Sequence, residues 1–221
     1  MIDVYTWATP NGHKVHIMLE ECGLSYTVHP VHIGRGDQLK PDFLAISPNN
    51  KIPAIVDHDG SDTAVFESGA ILIYLAEKTG RFLASSGPAR YAALQWLMFQ
   101  MSAVGPIFGQ CYHFRTDAEQ RIPYAIDRFT NEARRLYRVL NQRLGEAPYL
   151  AGDDYSIADM ATWPWTHGIE KQGHDPAQYP NVLRWAKAIA ERPAVRRGVK
   201  VLSSQRHLEM NSDERAVLFG Q

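Results

Sequence analysis

The chain has 221 residues, 45% hydrophobic and 21% charged, with 23 Lys+Arg against 24 Asp+Glu for a net charge of -1. That length supports one or two compact units with a real core, and the even charge excludes the basic excess that nucleic-acid binding needs to neutralise phosphates. No apolar run reaches the roughly 18 residues of a membrane span and no basic-then-apolar leader opens the chain, so the sequence predicts a cytoplasmic protein without membrane attachment.

Val4, Tyr5 and Trp7 belong to a short first strand, stopped by the turn chemistry of Thr9-Pro10-Asn11-Gly12. Val15, Met18, Leu19 and Cys22 then recur at helical spacing, with Gly23 as the expected C-cap. A second strand from about Tyr26 to Val31 contains Pro30, which cannot donate a ladder hydrogen bond and so places the strand at a sheet edge. A polar loop, Gly34-Arg35-Gly36-Asp37-Gln38, and a short helix near Phe43 follow. Ile55-Val56 and Ala64-Val65-Phe66 flank Asp57-His58-Asp59-Gly60 as a hairpin. Ser68 is the expected cap of a helix whose Ile71, Tyr74 and Leu75 share a face, completing the order βαβ-α-ββα.

Beyond Ser85-Ser86-Gly87-Pro88, the best linker candidate, only helical periodicity is found. Leu94, Leu97, Met98 and Met101 mark one helix, and Ile126, Phe129, Ala133, Leu136, Tyr137, Leu140 and Leu144 a longer one opened by Pro123. Ser156 and Asp159 form a capping box that starts a third long helix, kinked at Trp163-Pro164-Trp165. Val182 to Ala190 and a segment after Pro193 complete a bundle, and from about Ser203 a polar tail is either loose or draped over the body. Cys22 and Cys111 lack CxxC spacing, which excludes a disulfide framework, and are read as small buried hydrophobes. His13/His16 and His29/His32 lack an HExxH pattern or clustered acids and are read as surface or satisfied polar residues, with no metal expected.

Three stretches of the first unit carry groups suited to a small anionic peptide. Thr9, Asn11 and Gly12 open a helix whose unsatisfied N–H groups and positive dipole end favour an anion such as a thiolate; locally they are also an ordinary turn with an N-cap. In Asn49-Asn50-Lys51-Ile52-Pro53, a cis Pro53 would expose the N–H and C=O of Ile52 for pairing with an extended peptide. At Phe66-Glu67-Ser68, Glu67 can accept from an ammonium while Ser68 and the helix end hold a carboxylate. Taken singly, Ser68 is an N-cap. Taken together, the set specifies a ligand with one zwitterionic end, a middle that pairs like a strand, and a thiol.

These motifs in this order resemble the cytosolic glutathione transferases, from Met1 to about Val195. Thr9-Pro10-Asn11-Gly12-His13-Lys14, Ser47-Pro48-Asn49-Asn50-Lys51, Ile122-Pro123-Tyr124-Ala125 and Trp163-Pro164-Trp165 look most like the bacterial nu class, part of whose pattern is shared by related fungal regulators of nitrogen use. The resemblance implies an α/β plus all-α fold, with a thioredoxin-like glutathione-binding domain at 1–82, a linker at 83–87, an all-helical substrate and dimer domain at 88–202, and a tail at 203–221. It implies Thr9 and Asn11 at the sulfur, Gln38, Lys51, Ile52 and Pro53 around the peptide, Glu67 and Ser68 at the γ-glutamyl end, and Arg128 contacting glutathione across a homodimer interface. Asp159 is implied to be structural. Tyr5 lies near the position where other classes place a catalytic tyrosine, but the Thr9/Asn11 pattern points away from it.

The implied activity is reduction of small organic disulfides: bound glutathione thiolate attacks, and a second glutathione resolves the product, without a metal or a catalytic cysteine of the protein. Making a thiol of pKa about 8.5 mostly ionised at neutral pH takes about 2.7 kcal/mol. One hydrogen bond to the charged sulfur, about 1.5–3 kcal/mol, plus a helix N-terminus, about 0.3–1 kcal/mol, is enough. Alternatives are conjugation of an electrophile in a pocket beside Met101, Tyr112, Phe114 and Trp165, and a non-catalytic glutathione-fold regulatory module.

Overall fold

The computed structural model describes residues 1–205 and 211–220; of the expected tail, 206–210 and 221 lie outside the described residues. The packing divides the chain into two units, residues 1–79 with 193–221, and 80–192.

In the first unit, strand β1 (Ile2–Thr6) buries Ile2, Val4 and Thr6 on one face, the period of two expected of a pleated strand. It pairs in parallel with β2 (Tyr26–Pro30) and antiparallel with β3 (Ala54–Asp57), which pairs antiparallel with β4 (Thr63–Phe66). The sheet order β2-β1-β3-β4 leaves β2 at an edge, as Pro30 requires. Helix α1 (Pro10–Cys22) ends at Gly23, whose φ of 67 supplies the left-handed cap. Helix α2 (Pro41–Ile46) places Phe43 in a cluster with Val31 and Ala54, joined by Tyr5, Ile46 and Ile52. Helix α3 (Ser68–Thr79) buries Ile71, Leu72 and Leu75 and packs on α1.

Two features of α1 were not expected. Helix α9 (Pro193–Gly198), placed by sequence in the helical domain with the rest of 88–202, packs on α1 in the first unit. Gly198 makes this approach possible, since a Cβ there would lie 2.9 Å from the backbone N of Ile17. With neighbours on two sides, α1 buries Lys14 and His16 as well as its apolar stripe. Of the two readings, surface or satisfied polar, His16 fits the second. It lies 2.9 Å from the Thr6 hydroxyl, and desolvation, helped by His13 and opposed by a Gly198 backbone contact, lowers its pKa to about 3, so the ring is neutral. Helix α10 (Ser212–Phe219), within the tail, packs on the turn Ile33–Arg35.

Asp57 closes β3 with its side chain fully buried. Its carboxylate takes Lys78 Nζ at 2.8 Å, the Tyr74 hydroxyl at 2.8 Å and the Asp59 N–H at 3.0 Å. Burial pushes its pKa up, but these donors and the Lys78 charge win and the net shift is downward. A depressed carboxyl pKa stabilises the fold above its unfolded value and loses that contribution as pH falls through the folded value. Asp57→Asn is accordingly expected to flatten the acid limb of stability against pH below about pH 4, measured by urea denaturation at stepped pH; an unchanged slope would refute it.

The first helix of the second unit is α4 (Gly87–Phe99), which starts on the last residue of the expected 83–87 linker; a π turn (Gln100–Val104), α5 (Gly105–Tyr112) and another π turn (His113–Asp117) follow. The buried apolar side chains of this stretch are Ala93, Leu97, Val104, Phe108 and Cys111, while Met98, expected on that face, is 49% exposed. Helix α6 (Pro123–Glu146) buries the predicted stripe except for half-buried Phe129. The Ser156–Asp159 capping box opens α7 (Ile157–Thr162), which is short rather than long. At Trp163 the chain tightens into a 3-10 segment through Gly168, since Pro164 lacks the N–H that an α-helix would use. Helix α8 (Pro180–Ala190) completes the unit. Cys111 is buried as expected, whereas Cys22 is only half-buried, 3.5 Å from the Thr79 hydroxyl.

Candidate functional site

Strand register assembles the three stretches. Tyr5 faces Ala54, and Ala54 faces Phe66. The residues that leave β1, enter β3 and leave β4 therefore lie at one end of the sheet, which brings Thr9-Asn11, Ile52-Pro53 and Glu67-Ser68 together. The N-termini of α1 and α3 both open at that end, so two sets of unsatisfied N–H groups and two positive dipole ends converge there.

Thr9 is the N-cap of α1, in extended backbone, and its oxygen accepts from the Gly12 N–H at 3.3 Å. The cap uses a lone pair and leaves the hydroxyl proton able to donate. Asn11 is half-buried in the first turn of α1. Gly12 lies in the first turn of α1, as expected, and is pressed against β1: a Cβ there would fall 2.1 Å from the Trp7 carbonyl oxygen.

The Ile52–Pro53 peptide bond is cis. Ahead of it the Ser47 hydroxyl donates to the Lys51 carbonyl at 2.9 Å, and the Asn50 N–H to Ser47 O at 2.9 Å. Ile52 lies outside the β3 ladder, which begins at Ala54, and among the described residues no turn or loop hydrogen bond engages its backbone. The Lys51 side chain is exposed. Gln38 is buried and donates through Nε2 to the Ile33 carbonyl at 3.0 Å, while its Oε1 is buried without a partner among the described residues. A buried orphan acceptor costs stability and calls for a donor such as a ligand N–H.

Glu67 is exposed, takes a left-handed φ of 68 and accepts from Asn49 Nδ2 at 3.1 Å. Its carbonyl accepts the Ile71 N–H at 2.9 Å, so Glu67, not Ser68, occupies the cap of α3. Ser68 is instead the first helical residue, 4% exposed, and its oxygen accepts from Lys14 Nζ at 3.2 Å. Sequence reasoning gave Lys14 no role. The available signal was a lysine four residues before Met18 on the apolar face of α1. Burial lowers the Lys14 pKa to about 7, against the opposing pull of Glu67.

Among first-unit residues, Tyr5 is the remaining candidate. Tyr5 points to the α2 side of the sheet, stacked 4.7 Å from His29, and burial followed by the Asp3 charge raises its pKa, the wrong direction for an activated hydroxyl. Arg128 is an exposed residue of α6 in the second unit. There it lines a cavity of ≈ 500 Å³ with Tyr124, Asp127, Phe129 and Glu132. Phe114 stacks on Phe129 at 5.4 Å, and the Trp165 ring lies over Gly105 and Gly109 of α5. Among the described residues no group of three or more His, Cys, Asp or Glu is placed to hold a metal ion, and no helix is long and apolar enough to cross a membrane.

Residues 8–78 match the glutathione S-transferase N-terminal domain, and residues 123–188 the glutathione S-transferase C-terminal domain. The chain is 52% identical over 209 residues to the disulfide-bond oxidoreductase YfcG of Escherichia coli, covering 93% of this chain and 96% of that protein. A Pseudomonas fluorescens glutathione transferase family member, solved with two glutathione bound, superposes with a TM-score of 0.85 at 47% identity, over 90% of this chain and 92% of that one. A Pseudomonas putida glutathione transferase, with one glutathione disulfide per subunit, gives 0.86 at 44% identity, over 90% and 91%. With both domain families matched and these relatives similar over nearly their full lengths, the chain belongs to the glutathione S-transferase family.

Proposed function

We propose that this protein is a glutathione-dependent disulfide-bond oxidoreductase acting on small organic disulfides. The observation that carries this reading is the convergence, at one sheet end, of the α1 N-terminus, the Ile52 backbone and the Glu67-Ser68 corner, with Thr9 and Asn11 rather than a cysteine beside the anion-favouring helix end. The names of YfcG and of the glutathione-bound relatives support it.

The residues fit the tripeptide: the unpartnered Gln38 acceptor and the Ile52 backbone suit its amide groups, and Glu67 with Ser68 suits its ammonium and carboxylate. Glutathione, when bound, supplies the thiol that reduces the disulfide. The chain holds that thiol ionised: the Thr9 hydroxyl and Asn11 donate toward the sulfur at the positive end of α1, and no general base is needed. Lys51, Ile52 and Pro53 form the wall along the peptide. Arg128 acts from the second copy of a homodimer, and the protein is cytoplasmic; sedimentation velocity checks the dimer.

The activity test is reduction of hydroxyethyl disulfide with glutathione against conjugation of chlorodinitrobenzene. Faster disulfide turnover is expected, and a large excess of conjugation would overturn the reaction type. Asn11→Ala is expected to lower kcat by about ten- to a hundredfold with little change in KM, since it removes a hydrogen bond made to the ionised sulfur. Equal loss of both would make Asn11 a residue that shapes the turn.

A further inference from the structure

We propose that Lys14 is a positioning residue that aims the Ser68 hydroxyl at the γ-glutamyl carboxylate of glutathione and places a positive charge beneath it. The inference rests on the proposed function. Lys14 is 1% exposed, and its Nζ lies 3.2 Å from the Oγ of Ser68, the first residue of α3. In its ammonium form, which a bound carboxylate favours over the amine that burial favours, Lys14 has only donors, so its bond to Ser68 engages the serine oxygen and turns the serine proton away from Lys14. A side chain that would otherwise both donate and accept is thereby set to donate, at the helix end where N–H groups also point outward.

The same charge does a second thing. Glu67 beside Ser68 is negative and suits the ligand ammonium, but alone it would repel the ligand carboxylate. A buried cation behind Ser68 offsets that repulsion, and at low local dielectric it acts more strongly than a surface lysine would. The arrangement is costly to the fold, because desolvation disfavours the charged amine. A methionine of similar length would fill the space without that cost. Strain of this kind, retained at a site where three ligand-facing stretches meet, is what function rather than stability explains.

The test compares Lys14→Met, Ser68→Ala and the double variant in the full-length protein, using glutathione and hydroxyethyl disulfide. Lys14→Met is expected to raise the glutathione KM about tenfold, with kcat changed by less than about twofold and Tm equal or higher. In the Ser68→Ala background it should raise KM little further, because the two act through one bond. An unchanged KM, a joint fall of kcat and Tm, or multiplicative effects in the double variant would each overturn the assignment. If Lys14→Met does not fold, the 13Cε resonance of Lys14 in the wild type is expected to move on glutathione addition, and a fixed resonance overturns the assignment. Calorimetric titration separates the failures: a wild type that does not bind glutathione rejects the proposed function itself, whereas binding retained undiminished by Lys14→Met rejects only the role of Lys14.

Discussion

Asp159→Ala is expected to cost about 3–5 kcal/mol of stability, the range for removing one partner of a buried, hydrogen-bonded charge. The carboxylate is fully buried and accepts from the Leu150 N–H at 2.9 Å, the Ser156 N–H and hydroxyl at 3.0 Å each, and the Trp185 indole N–H at 2.9 Å. Burial raises its pKa in spite of these donors. Alanine would strand donors from a loop, a cap and α8 at once, in a space closed to water. Urea denaturation measures the loss, and a change below about 1 kcal/mol would show that the network is dispensable. Residual activity in the folded fraction should be near normal, since the hydrogen-bond partners of Asp159, namely Leu150, Ser156 and Trp185, all belong to the second unit.

Gly12→Ala is expected to cost about 3 kcal/mol or more, at the upper end of overpacking effects. The added Cβ would fall 2.1 Å from the Trp7 carbonyl oxygen and 2.8 Å from the Thr6 hydroxyl oxygen. The first is backbone and cannot turn aside, so either β1 or the first turn of α1 must move. That turn carries Thr9 and Asn11, so turnover should fall further than the loss of folded protein explains. Gly23→Ala is the informative comparison: its cost is left-handed strain alone, because nothing lies within 4 Å of a Cβ there. Equal losses at the two glycines would refute the close-approach reading.

Local features were legible because short-range chemistry decides them. Pro30 lacks an N–H and is found on the edge strand, and Ser156 with Asp159 satisfies helix-end donors within a few residues of chain. The ordered set of motifs was legible for the same reason, each being a strand end, turn or helix start. Where sequence reasoning missed, a distant partner intervened. His16, read as a surface or satisfied polar residue, is buried where Gly198 of α9, far along the chain, meets α1, and Lys14, given no role by sequence, is buried with its Nζ against Ser68 of α3. Ser68 looked like an N-cap, but the left-handed turn at Glu67 shifts the cap by one residue and hands the serine to Lys14.

By itself, then, the amino-acid sequence determined which segments become strands and helices and most of the turn and cap chemistry that bounds them, since each depends on hydrogen bonds and dihedral preferences spanning a few residues. Only the tertiary structure decided that those ends meet. The pairing of β1 with β3 and of β3 with β4 sets one register for three separated stretches, and packing of α1 between α3 and α9 buries a charge that no local pattern would place in an interior. Register and burial arise from contacts between residues remote in the chain, so neither is written in any one stretch of it.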